Sequence, residues 1–298
     1  MVVTGIALAF VLAQAPAPRQ AAPQTDETVA VQRGVRLNIN NHAGEVVVRT
    51  WDKDSVRVVA RHQPRTRVSI RPTSAGLSIG TSGSMGPAGS VDFEITAPPW
   101  MAMRIEGAFN FVTVDGVQSE VFANTVRGDV IIKGGSGVVT AKSVEGEVRV
   151  EGARGKIIAS SVNDRITITG ATGDITAETV NGDITMTGID SRSVDATTVN
   201  GNIAFEGKLA DRGHYAFSTH NGDIGMGLPD SNNATFTFRT YQGSIATDFT
   251  LAGYNREDAQ RGRRAVATLG NGSADVNLET FGGTIRLRKG PVARPRAR

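Results

Sequence analysis

An all-β chain folded as a single β-solenoid, a parallel β-helix-like stack with 18–21-residue coils and an N-terminal β cap, is what this sequence predicts. Three observations predict it. A six-residue phrase occurs eight times, apolar residues stand two apart on either side of it, and 298 residues include 35 glycines and no cysteine. Glycine at that level without a Gly-X-Y period points to many tight turns in an ordered protein rather than to collagen.

The phrase is Thr-Val-Arg-Gly-Asp-Val at 125–130, Ser-Val-Glu-Gly-Glu-Val at 143–148, Ser-Val-Asn-Asp-Arg-Ile at 161–166 and Thr-Val-Asn-Gly-Asp-Ile at 179–184. Later copies start at Thr198, Thr219, Thr240 and Thr280. Its fourth position, the anchor, is Gly128, Gly146, Asp164, Gly182, Gly201, Gly222, Gly243 and Gly283, with spacings of 18, 18, 18, 19, 21, 21 and 40. Two and four residues after the anchor the side chains are apolar, as in Val130 and Ile132 or Ile184 and Met186. Seven and five before it they are apolar again, from Val121 and Ala123 to Val276 and Leu278. A spacing of two is the period of a strand with one buried face. Each repeat is therefore two short strands joined by tight turns, whose Asn-Gly and Gly-Asp pairs suit positive-φ corners. Parallel coils and an antiparallel meander of nine-residue hairpins both fit this local pattern. The columns favour coils, because like residues recur once per full repeat, and alanine gives way to phenylalanine as the coil lengthens.

Fainter copies precede the run. Leu37 to Val48 places apolar residues in the same columns around Gly44, and Trp100 to Phe111 does so around Gly107. Residues 33–100 read as a β cap or irregular first coils covering the open end of the stack, followed by the solenoid over 101–289. A charged loop occupies 248–275, and a basic tail closes the chain at 290–298.

The first 22 residues read as an export signal and the start of a linker, with the linker continuing over 23–32. The apolar run from Val2 to Ala13 is too short to span a bilayer, and Ala13-Gln14-Ala15 is a small-x-small cleavage site. No basic residue precedes the run, and a cut nearer Ala22 also fits. The expectation is an exported protein of the periplasm, outer surface or medium, with no transmembrane span once the signal is removed. Absence of cysteine rules out disulfides, thiolate metal sites and a lipidated cysteine anchor.

Three phrases in order resemble the bacterial "putative adhesin" family, a cell-envelope domain of unknown function built as a β-solenoid. They are the opening Asn-x-x-Gly-x-Val-x-Val with Trp51-Asp52, the repeated Thr-Val-x-Gly-Asp-Ile, and the closing Gly-x-Gly-x-x-x-Val-x-Leu-x-Thr-x-x-Gly-x-Ile at 270–285. The likeness covers about residues 33–289. It implies surface interaction and brings no catalytic residues.

No catalytic, cofactor-binding or metal-ligating residue is predicted. His42 and His220 stand two before an anchor, in a column otherwise held by Val126, Val144, Val162, Val180, Val199, Tyr241 and Phe281, and read as packing positions. His62 and His214 share no metal-ligand spacing with them. The acidic column after the anchor (Asp129, Glu147, Asp183, Asp223) is interrupted by Arg165, Asn202, Ser244 and Thr284, which suits turn chemistry better than a calcium ladder. The hydroxylic column from Thr125 to Thr280 reads as a hydrogen-bonded ladder. Net charge is only +3, and basic clusters sit at Arg261, Arg263, Arg264 and from Arg286 to Arg298.

The function expected is a non-enzymatic envelope protein presenting repetitive faces. Its candidate partners are envelope polysaccharide, an anionic lipid surface or another envelope protein. Export and the lack of a nucleic-acid motif exclude nucleic acid. Two alternatives stay open: a carbohydrate-active β-helix enzyme, and a self-polymerising envelope scaffold.

Overall fold

The computed structural model describes residues 25–84, 86, 88–254 and 264–290. The expected export segment (1–22), the centre of the charged loop (255–263) and the basic tail (291–298) lie outside them. Twenty-two strands and no helix are present among the described residues, and all belong to one hydrogen-bonded sheet that winds through successive coils.

Each coil gives one strand to each of two rows. In the first row, β8 (Val121–Asn124), β10 (Ser136–Lys142), β12 (Arg154–Ser160) and β14 (Thr172–Glu178) pair in parallel, with Val121, Val139, Ile157 and Ile175 in register. In the second, β9 (Val130–Gly134), β11 (Val148–Glu151), β13 (Ile166–Thr169) and the start of β15 (Ile184–Asn200) align Val130, Val148, Ile166 and Ile184. Parallel pairing at full-repeat spacing excludes the meander. The sequence columns are the core: all their members from Gly128 to Gly283 are buried except Ile245 and Thr247, which are half-buried. Tyr215 replaces an aliphatic there because its hydroxyl has partners, donating to Ser191 O at 2.6 Å and accepting from Ala210 N at 2.8 Å. Burial pushes this phenol above its ordinary pKa.

The anchor glycines are required by proximity. A Cβ at Gly182, Gly201, Gly222, Gly243 or Gly283 would collide with the anchor carbonyl of the adjacent coil. None of these five has positive φ, whereas Gly128 and Gly146 do, so the positive-φ explanation holds only for the early coils. The same carbonyls receive the hydroxyl ladder: Ser143 Oγ donates to Gly128 O at 2.9 Å, Ser161 Oγ to Gly146 O at 3.1 Å and Thr219 Oγ1 to Gly201 O at 2.9 Å. These hydroxyls are buried, as an interior ladder demands.

Near the N-terminus, β2 (Arg36–Thr50) pairs along its length with β7 (Ala102–Val117). Its register corrects the anchor read at Gly107. Gly44 lies opposite Asn110, and Val46 opposite Val112, so Asn110 is the anchor and Met103, Ile105, Val112 and Val114 fill the core. Gly107 instead takes the hydroxyl position. Asn110 folds its amide into the space that Gly107 leaves and donates to Asn41 O at 2.6 Å. Phe109 and Phe111, expected inside, are consequently exposed.

Both ends of the stack depart from chain order. The coil of β5 (Gly76–Gly83) and β6 (Val91–Ala97) lies outside β2, on the side away from β7. Antiparallel strands cover it: β4 (Thr66–Thr73) on β5, β3 (Ser55–His62) on β6, and β1 (Thr25–Ala30) on β3. Residues 23–32, expected as linker, thus contain a paired strand.

At the other end, β16 (Ile203–Asn221) and β17 (Ile224–Leu228) pair with β21 (Ala274–Thr280) and β22 (Ile285–Lys289). The coil of β18 (Ala234–Thr240) and β19 (Ile245–Thr247) pairs with the far side of β21 and β22. The last coil of the sequence is therefore inserted between two earlier ones and does not end the stack. The segment expected as a charged loop contributes β20 (Ala265–Leu269), which closes β18 in antiparallel fashion.

Ile184 is fully buried, whereas Thr185 faces outward and is half-buried. Ile184→Asp should cost about 4 kcal/mol or more by burying an unpaired carboxylate, and Thr185→Asp about 0.5 kcal/mol. Thermal melts of the two variants check this; equal losses would refute the strand phase.

Candidate functional site

The turn before each second-row strand faces solvent, and stacking turns builds a ridge. The column two before the anchor, expected as packing, runs along it: Val126, Val144, Val180, Val199, Tyr241 and Phe281 are each between 37% and 52% exposed. Hydrogen bonds between turns keep the line continuous, as in Val144 N to Val126 O at 3.2 Å and Val180 N to Val162 O at 3.3 Å. At one end His220 stacks on Phe281 with centroids 4.8 Å apart, and Tyr241 follows at 5.4 Å. That order, 220–281–241, repeats the insertion of the last coil. At the other end His42 meets exposed Phe109 edge-on at 5.7 Å.

Beside the apolar line lies an amide ladder. Asn181 donates to Asn163 at 3.0 Å, Asn200 to Asn181 at 2.8 Å and Asn221 to Asn200 at 2.9 Å. An earlier pair of turns carries Arg127 and Glu145 in the same column, ion-paired at 2.6 Å. Sequence reasoning missed this ladder because Asn next to glycine is already explained by turn formation.

The acidic column is used by the backbone. Asp129 accepts from Glu147 N at 2.8 Å, Asp183 from Asn202 N at 2.7 Å and Asp223 from Thr284 N at 2.7 Å. Asn202 does the same for Asp223 N at 2.9 Å, so an amide oxygen serves as well as a carboxylate. Asp223 also receives Arg286 at 2.6 Å. No cluster of three or more metal-ligating side chains occurs among the described residues.

Two further histidines tie strands together. His62 Nε2 lies 3.2 Å from Thr25 Oγ1, linking β1 to β3. His214 meets Asp275 at 3.1 Å, with Ser193 next to it in register on β15. This Ser–His–Asp row forms only because β21 is inserted, so chain order hides it. His214 and Asp275 are both more than half exposed on an outward strand face, so water screens the contact between them. Of the basic residues, Lys289 pairs with Asp230 at 3.3 Å, while Arg261, Arg263 and the tail arginines lie outside the described residues.

Two cavities flank the ridge at its Phe109 end. One, of about 510 Å³, is lined by Asn40, His42, Thr81, Ser82, Gly107 and Ala108 among others, with no Asp, Glu, Lys or Arg. The other, of about 530 Å³, lies beside Phe111 and is lined by Glu45, Asp92 and Asp129.

The described residues form a glycine-anchored β-solenoid with a solvent-facing ridge of stacked turns. Residues 177–288 match the family described as Toastrack DUF4097, the domain of unknown function whose phrases the sequence resembles. Among solved structures, a putative adhesin from Parabacteroides distasonis ATCC 8503 is 11% identical, covering 89% of this chain and 96% of its own, with a TM-score of 0.48. A putative adhesin from Bacteroides fragilis NCTC 9343 is also 11% identical, covering 90% and 100%, with a TM-score of 0.44. A putative cell adhesion protein from Clostridium sporogenes ATCC 15579 is 8% identical, covering 89% and 99%, with a TM-score of 0.29. No curated protein matches the chain. None of the helices needed to cross a membrane occurs among the described residues.

If the acidic column serves the backbone, Asp183→Asn with Asp223→Asn should keep the fold, because each amide oxygen can still accept the same N–H. The exposed Arg286 pair contributes only about 0–1 kcal/mol. The melting temperature should move by a few degrees at most, and a chelator should not move it. A calcium-dependent rise in melting temperature that the double change abolishes would contradict this reading.

Proposed function

We propose that this chain is an exported, non-enzymatic, adhesin-like protein of the cell envelope whose solenoid presents a repetitive face for binding. The observation that carries the reading is the turn ridge, which exposes an apolar line and an amide ladder over successive coils. An apolar strip kept in water across so many repeats marks an interaction surface. The family match and the adhesin-like relatives support the same class. Export rests on the short apolar run and the Ala13-Gln14-Ala15 site.

The two alternatives find less support. For a carbohydrate-active enzyme, the column with most carboxylates is committed to backbone N–H groups, and the His214–Asp275 pair is open to water. For an end-to-end scaffold, the outer coils at both ends carry antiparallel strands, β20 on one and β3 and β4 on the other. Such strands break the parallel register that a stacking copy would need.

Fractionation of the organism that makes the protein tests the reading. The chain should be recovered outside the cytoplasm with a mature N-terminus between Ala15 and Gln24. The purified mature form, with or without residues 291–298, should be retained by envelope material and leave its polysaccharide length unchanged. An intact Met1 in the cytosol, absence of retention, or shortening of the polysaccharide would each overturn it.

A further inference from the structure

We infer that the turn ridge and the polar cavity at its end form one extended site for a neutral, linear polysaccharide. This deepens the proposed function and rests on it.

The geometry is linear. In spatial order the turns belong to the anchors Gly44, Asn110, Gly128, Gly146, Asp164, Gly182, Gly201, Gly222, Gly283 and Gly243. Ten layers at the usual strand spacing of about 4.8 Å make a strip roughly 43 Å long, and three columns at about 3.3 Å make it roughly 10 Å wide. That area, on the order of 400–500 Å², is well below the roughly 800 Å² per partner of a stable protein interface. It suits a thin polymer better than a second copy of this chain.

The chemistry is neutral. From Val162 to Tyr241 the two outermost columns pair Val162 with Asn163, Val180 with Asn181, Val199 with Asn200, His220 with Asn221, and Tyr241 with Gln242, without a carboxylate or guanidinium. Within the ladder each interior Asn uses one amide N–H and one oxygen lone pair on its neighbours. The second N–H and the second lone pair remain, at a constant spacing, for hydroxyl groups. Valine methyls and the edges of stacked rings offer the adjoining apolar surface that the C–H faces of sugar rings require. Along this stretch an anionic lipid headgroup would find no lysine or arginine, and at the two turns before it Arg127 is already paired with Glu145.

The line also leads somewhere. Its first two members, His42 and Ala108, line the 510 Å³ cavity, which is of ordinary ligand-site size. The small side of the cavity is formed by Gly107 and Ala108, the latter standing where later coils carry a larger side chain. The Ser82 hydroxyl and the Asn40 amide line it and offer donors and acceptors of the kind a terminal sugar needs. The neighbouring cavity, with three carboxylates, would repel an acidic chain end and offers no such set.

Calorimetric titration of the mature protein with cello-, chito- and malto-oligosaccharides of increasing length tests the inference. At least one series should bind, with Kd falling about tenfold or more from disaccharide to the longest chain and then levelling off. Ala108→Trp, which fills the cavity, and Tyr241→Ala, at the far end, should each weaken the longest ligand severalfold at unchanged melting temperature. Thr176→Ala, on an outward strand face, should not. No binding in any series, binding only of charged polysaccharides, dimerisation through the ridge, or affinity indifferent to both site variants would overturn it. Failure here with envelope retention intact would sink this site and leave the envelope reading standing.

Discussion

The stack depends on the contact between successive anchor positions. A backbone carbonyl of one coil lies where the next coil would carry a Cβ, and a buried Ser or Thr hydroxyl completes that carbonyl. Glycine fits this approach without a Cβ in most coils, Asp164 and Asn110 being the exceptions, and a Ser or Thr three residues before the anchor satisfies the buried oxygen in the central coils. Both demands recur once per coil. Everything else follows from their alignment: the inward columns share one phase, the turns pile up, and the side chains beside the anchor become ladders on the outside. Asn110 and Gly107 show the constraint from the other side. When the small residue and the polar one exchange places, the amide still reaches the same region and fills the space beside Gly107.

The ends obey a different constraint. A parallel stack leaves an unpaired edge at each end, and a terminal coil held on one side only would fray. Here the chain places a near-terminal coil inside at both ends, β2 at one and β21–β22 at the other, and covers it with a coil drawn from the interior of the sequence. Antiparallel strands then finish the outer surface. The insertion also shapes the ridge, since it brings Phe281 between His220 and Tyr241 and so makes an aromatic end of three rings.

Most of the interior was legible in the sequence, because a period of two and a period of one coil act together on the same residues. Ile184 and its column mates could be assigned inward without any structure. Gly107 misled because glycine was taken as the mark of an anchor, whereas the physical requirement is a shared set of small and polar groups that Asn110 can also meet. The ridge misled for a related reason: valine at Val126 or Val180 has the composition of a core column but sits on a turn, where no facing layer exists. The order of the last three coils was not legible at all. The repeats at Gly222, Gly243 and Gly283 carry the same residue types in their columns, so the pattern alone does not order them; in the structure β20 closes the outer side of β18. The candidate site was legible only as residue types, since its continuity depends on that spatial order.

The absence of native cysteine allows the layer order to be read directly through engineered pairs. His220 and Phe281 sit on neighbouring turns, whereas His220 and Tyr241 are two layers apart, about 10 Å at the usual spacing. A disulfide needs Cα atoms within roughly 7 Å. Under mild oxidation, His220→Cys with Phe281→Cys should therefore cross-link within one chain, and His220→Cys with Tyr241→Cys should stay reduced. Cross-linking of the second pair, with the first left free, would mean that the coils stack in chain order, and both the inserted coil and the continuous ridge would be wrong.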